Sequence, residues 1–163
     1  MRLTAAAVLV LATACSSSSP KTAAPSPSTA PVVTAAPTRP ATPTVPVAVE
    51  QGPYSFALPG KDISCSLDAA TARCDAAQHS WHAPAKPSDC FEKWGFGIQY
   101  SLGGRGSFIC ADDSVLGATR VLAYGRGVRV GMVQCTASRA GVECRGVGVP
   151  GGFALSSTQY RLF

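Results

Sequence analysis

The sequence predicts a small, mainly β domain, built from antiparallel hairpins and stapled by disulfides, behind a disordered linker of Pro, Ser and Thr. Three observations predict it. Six cysteines fall within residues 51–163, and two pairs of them, Cys65 with Cys74 and Cys135 with Cys144, share a C-x8-C spacing. Short runs of alternating apolar and polar residues are punctuated by glycine and proline, as strands are by turns. Residues 16–49 are Ser, Thr, Pro, Ala and Val with scarcely any charge, too little apolar surface to offset the entropy of ordering the chain.

The N-terminus comes first. Met1-Arg2 is a short positive start, Leu3 to Leu11 is apolar and small residues follow, which reads as a signal peptide over residues 1–14, too short to span a bilayer. Leu11-Ala12-Thr13-Ala14-Cys15 looks like a bacterial lipobox, although Ala12-Thr13-Ala14 also suits ordinary cleavage after Ala14. Cysteine parity separates the two. The chain has seven cysteines, so lipidation of Cys15 leaves six to pair, whereas an unmodified Cys15 leaves an odd thiol in an oxidising compartment. Residues 15–50 are then the lipidated N-terminus and linker, tethering the chain to the extracytoplasmic face of the cell membrane. In polyproline II, at about 3.1 Å per residue, such a spacer reaches on the order of 100 Å. Its Ser and Thr suit O-glycosylation and an unmodified spacer equally, and the absence of Asn removes N-linked sugar.

Residues 51–163 form one domain. Tyr54–Leu58 alternates and stops at Pro59-Gly60, a first strand and its turn. Ile63–Cys65 and Ala72–Cys74 flank a polar connection as a hairpin, and Val133–Cys135 and Val142–Cys144 flank residues 136–141 in the same way, a weak internal repeat. Cysteines facing one another across a hairpin lie within bonding reach, which pairs Cys65 with Cys74 and Cys135 with Cys144 and leaves Cys90 for Cys110. Six cysteines allow about fifteen pairings, and this one rests on the repeated spacing. Gly97–Leu102 and Phe108–Cys110 read as antiparallel strands around a glycine-rich loop at 103–106. Residues 115–124 are ambiguous: Val121–Tyr124 suits a strand, and Asp113–Arg120 a capped helical turn. Phe153–Leu155 and Tyr160–Phe163 form an apolar end that docks on the fold.

The order of these pieces resembles a family of small exported actinobacterial domains of unknown function, often lipid-anchored or tethered behind a Pro-rich linker. The resemblance is carried by Ile63-Ser64-Cys65, Arg73-Cys74-Asp75, Trp81 with Pro84 and Pro87, Cys90, Trp94, Phe108-Ile109-Cys110, Val121–Gly125, Gly131 with Cys135, Gly141–Cys144 and Gly152–Ser156 through Tyr160–Phe163. It covers nearly all of residues 53–163 and departs at Pro59–Asp62, where a Ser-Gly-Asn-like turn is expected. It implies an extracytoplasmic location and a shared disulfide pattern, and no activity.

The net charge of +5 is spread along the chain, with Arg126 and Arg129 the one close basic pair in the domain, so a nucleic-acid surface is not expected. His79 and His82 stand at H-x2-H spacing near cysteines, but exported cysteines pair with one another and no four-ligand zinc pattern is present, so neither metal nor cofactor is expected. Asp112-Asp113, with Asp89 or Glu92, invites a hydrolytic reading, yet adjacent aspartates also mark a turn. Ser107 and Ser156 lack a nucleophile elbow. No enzymatic activity is expected. Trp81, Trp94, Tyr100 and Tyr124, with Arg105 in the glycine loop, are the candidate contact residues, because aromatic rings stack on sugars or peptides and are equally the expected core. The expected function is a tethered, non-enzymatic binding module of the cell envelope whose partners are the membrane and a cell-wall polymer or envelope protein. The alternative is an inhibitor of an extracellular lytic enzyme or protease presenting Gly103–Gly106. Oligomeric state is not legible.

Overall fold

The computed structural model describes residues 44–163. Cys15, the expected signal peptide and all but the end of the expected linker lie outside the described residues. In chain order the strands are β1 (Val47–Glu50), β2 (Tyr54–Ala57), β3 (Ile63–Leu67), β4 (Thr71–Ala76), β5 (Trp94–Ser101), β6 (Ser107–Cys110), β7 (Arg126–Val130), β8 (Val133–Ser138), β9 (Gly141–Gly146), β10 (Gly152–Leu155) and β11 (Tyr160–Leu162). They build two sheets, β2-β3-β4-β5-β6 and β1-β7-β8-β9-β10-β11, with all neighbours antiparallel except β1 and β7. The domain is all β among the described residues.

Each sheet is a five-strand meander folded around a cysteine hairpin, and β1 is added to the second. The register makes the parallel explicit. One inward row runs Phe56–Cys65–Cys74–Ile98–Phe108 across the first sheet. Its counterpart runs Val128–Cys135–Cys144–Phe153–Leu162 across the second. The two rows share one buried core, in which the Cys74 and Cys144 sulfurs approach to 3.8 Å. The disulfides are Cys65–Cys74, Cys90–Cys110 and Cys135–Cys144, the pairing predicted from spacing. The hairpin bridges join directly opposed residues with Cα atoms 4.0 and 4.1 Å apart, so each locks register within its own sheet. Cys90–Cys110 instead ties the irregular segment 77–93 to β6.

That segment closes one flank with aromatic rings. Trp81 packs 5.7 Å from Phe108 and 5.6 Å from Tyr160, Trp94 lies 5.7 Å from Phe108, and the Trp81 indole donates to the Ser156 carbonyl. Trp81 and Tyr100 are therefore core residues rather than contact residues. Tyr100 packs where any side chain at Gly146 would stand, and its hydroxyl accepts from the Gly103 amide.

Three readings are corrected and one strand is added. Val47–Glu50, assigned to the linker by composition, forms β1, because β7 supplies the pairing edge that the local sequence does not announce. Residues 115–124 form neither strand nor helical turn: Val121 alone bridges Ala57, after which the chain turns at Gly125 into β7. β7 itself went unread because glycines at 125, 127 and 131 break up its Val128/Val130 alternation. The connection placed at 136–141 is only Arg139-Ala140, since β8 and β9 run on to pair Ser138 with Gly141.

Candidate binding face

The outward faces of the two meanders carry different chemistry. On the first, Asp75 is wholly buried and Arg73 grips it through Nε and an NH2 group, each at 3.0 Å. Arg73 also donates to the Asp113 carboxylate at 2.8 Å and to the Asp113 carbonyl at 2.7 Å. Asp75 in turn accepts from the Ser114 hydroxyl and the Val115 amide, both at 2.9 Å. The room for the buried carboxylate comes from Gly97, its cross-strand partner, where a Cβ would collide with it. Further along, the Ala57 amide donates to the Arg120 carbonyl and the Leu122 amide to that of Ala57. Residues 113–122 thus run from the Asp75 carboxylate to the edge of β2, where Val121 pairs beside Ala57. The hydrogen bond from Arg73, and then its charge, hold the Asp113 carboxyl below the usual carboxylate range. Asp113 is therefore a clamp for this loop, and Asp112 accepts from the Lys93 amide at 3.3 Å.

On the second sheet the outward rows are Val49–Arg129–Gln134–Arg145–Gly152 and Val47–Gly127–Thr136–Glu143–Ala154–Arg161. Glu143 meets Arg161 at 3.2 Å and Arg145 at 3.8 Å, and both arginine side chains are more than half exposed. The Arg129 Nε is buried without a hydrogen-bond partner among the described residues. Two clefts open on this face. One, of about 510 Å³, is lined by Thr136, Glu143, Tyr160 and Arg161, and the other, of about 530 Å³, by Gln134, Arg145, Pro150 and Phe163. Arg161 lies 4.5 Å over the Phe163 ring. The face offers forked N–H donors, amides, a hydroxyl and one carboxylate, a set that recognises carboxylates and backbone groups.

The contact residues read from sequence do not converge. Trp81 and Tyr100 are buried, and Trp94 is half-buried with its indole donating to the Pro84 carbonyl. Arg105 is exposed and donates to the Leu162 carbonyl, while Tyr124 is exposed beneath Arg139. In the glycine loop Gly103, Gly104 and Arg105 are exposed, while Gly106 is buried with its amide on the Gly152 carbonyl. His79 stacks on Trp81 at 3.6 Å with Nδ1 at the Trp81 carbonyl. Among the described residues the one group of three clustered metal-ligand atoms is Cys65, Cys74 and Cys144, whose sulfurs are held in disulfides. Sequence reasoning missed Arg129, Gln134, Glu143 and Arg145. For Gln134, Glu143 and Arg145 the signal was the cysteine repeat, which fixes the residues beside each cysteine as outward; Arg129 lies on a strand without a cysteine.

Searches of protein-family models, curated proteins and solved structures find no match to this chain.

Proposed function

We propose that the chain is an exported module, held on the extracytoplasmic face of the membrane by a lipid on Cys15, whose domain binds a cell-wall polymer or envelope protein without catalysing a reaction. The observation that carries this reading is the arginine-rich outer face of the second sheet, with its two clefts. Three disulfides, two of them in the core, suit an oxidising compartment. The test uses the full chain in a lipoprotein-competent host. Intact mass is expected to show a mature chain beginning at acylated Cys15 that gains two hydrogens per disulfide on reduction. Purified envelope material is expected to co-sediment with it. An unacylated mass removes the anchor, and failure to co-sediment with any envelope fraction removes the binding role.

The inhibitor reading is favoured by a different observation, Phe91, which is 90% exposed beside the buried Cys90. The disulfide to Cys110 and the Cys90 amide on the Pro87 carbonyl preorganise this ridge. Inhibition of a lytic enzyme or protease that vanished in Phe91→Ala would establish it; inhibition indifferent to that change would remove it.

A further inference from the structure

The internal repeat states how this fold covers the outward row beside a cysteine hairpin. In the first sheet the row Ala57–Ser64–Asp75 faces Gly97 and is closed by the chain's own residues 113–122, which hold Asp75 through Ser114 and Val115, turn at Leu116-Gly117 and pair beside Ala57 at the edge of β2. The matching row of the second sheet is Arg129–Gln134–Arg145, facing Gly152. Gln134 and Arg145 stand at the positions of Ser64 and Asp75, next to the corresponding cysteines. Here the Arg145 side chain is 59% exposed; the Arg129 Nε has no partner among the described residues, and neither has the Ser64 Oγ of the covered row.

We propose that this row docks an acidic peptide segment of a partner protein, laid over β9 and β8 towards Arg129 as residues 113–119 run from Asp75 towards the edge of β2; the edge of β7 that corresponds to the Ala57–Val121 bridge is already taken by β1. The inference rests on the envelope-binding reading and names the partner's chemistry. Charge selects the occupant. Where the covered row holds Asp75 and draws donors from Ser114 and Val115, the open row holds two arginines and draws acceptors. A third arginine, Arg161, stands beside them, while Glu143 is the face's one acid and is met by Arg145 and Arg161. Arginine forks match carboxylates bidentately. The chain's own leading residues are poor candidates, since 1–49 contain no Asp or Glu. A polypeptide, rather than a sugar, is what the fold already places on the equivalent row of the first sheet.

The probe is a fluorescein-labelled decapeptide of alternating serine and glutamate, titrated against the full chain by anisotropy, with a serine–lysine decapeptide as control. The acidic peptide is expected to bind, to weaken with salt and to lose at least about tenfold in affinity in Arg145→Glu and in Arg129→Gln. Circular dichroism of Arg145→Glu, an exposed change, checks that the fold is kept. No binding of the acidic peptide, or binding that survives Arg145→Glu in a folded chain, overturns the proposal. So does equal competition per charge by dextran sulfate, which would show a surface for any polyanion, or a change in oligomeric state in Arg145→Glu, which would show a second copy on this face. A wild-type chain that co-sediments with envelope material but ignores the peptide removes the peptide and keeps the tethered binding module.

Discussion

The two cysteine hairpins, Ile63–Ala76 and Val133–Gly146, are the same object used twice. Their cysteines sit seventy positions apart, their registers match pair for pair, and even their turns share a device. Asp68 accepts from the Ala70 amide, as Ser138 accepts from the Ala140 amide. Inward they are interchangeable, each presenting a disulfide to the common core. Outward they diverge. Arg73 and Asp75 are locked under a loop, whereas Glu143 and Arg145 face solvent. The difference teaches that burial of the hairpin's inner face makes the domain, while the outer face is available for either internal support or recognition.

The largest expected effect breaks the comparison outright. Asp75→Ala leaves Arg73 half-partnered and strips the Ser114 and Val115 donors of their acceptor, which should cost about 3 to 5 kcal/mol, while Arg145→Ala should cost about 0.5 kcal/mol or less. Chemical denaturation of both variants reads the contrast directly; equal losses would mean that the outer faces are energetically alike. Next comes the test of inward equivalence. Removing either hairpin disulfide as a paired Cys→Ala change should cost about 3 kcal/mol, and the two losses should agree within about 1 kcal/mol because loop length and burial match. A much larger loss at one hairpin in thermal unfolding would place the folding core on that side.

Smaller effects sharpen the turns. Asp68→Ala loses hydrogen bonds to the Ala70 and Thr71 amides and the Thr71 hydroxyl, about 1 kcal/mol, and Ser138→Ala loses about half that, both measurable by denaturation. The smallest is a pH effect confined to the covered face. Because Arg73 lowers the Asp113 carboxyl on folding, that clamp contributes fully above the ordinary carboxylate value near pH ~4 and is lost as pH falls through the lower folded value. The acid limb of the unfolding profile should therefore lose this component in Asp113→Asn, and an unchanged limb would show that the loop does not depend on it.

Much of the fold was legible because cysteine spacing and turn residues act locally. A C-x8-C unit with a polar middle has few ways to close other than a hairpin, and glycines at 103, 104 and 106 supply the positive φ that the β5–β6 turn uses at Gly103. The candidate site was less legible. Trp81 and Tyr100 were as suited to a surface as to a core, and only packing against Phe108, Tyr160 and Gly146 assigned them inside. Cys144 beside Arg145 signals an outward side chain and nothing about what covers it. That its face stays open is decided by the rest of the fold, which lays residues 113–122 on the first sheet and not on this one.

By itself the sequence determined the β class, the hairpins and the disulfide pairing, since each depends on contacts between residues close along the chain, where side-chain period and loop length leave few choices. The tertiary structure alone decided that β1 joins a sheet through a parallel partner, that residues 113–122 cover one outer face and that the other carries its arginines to solvent. Those outcomes depend on pairing across long stretches of chain. Their energy comes from burial and from charges meeting at a distance, and neither leaves a mark on the local pattern.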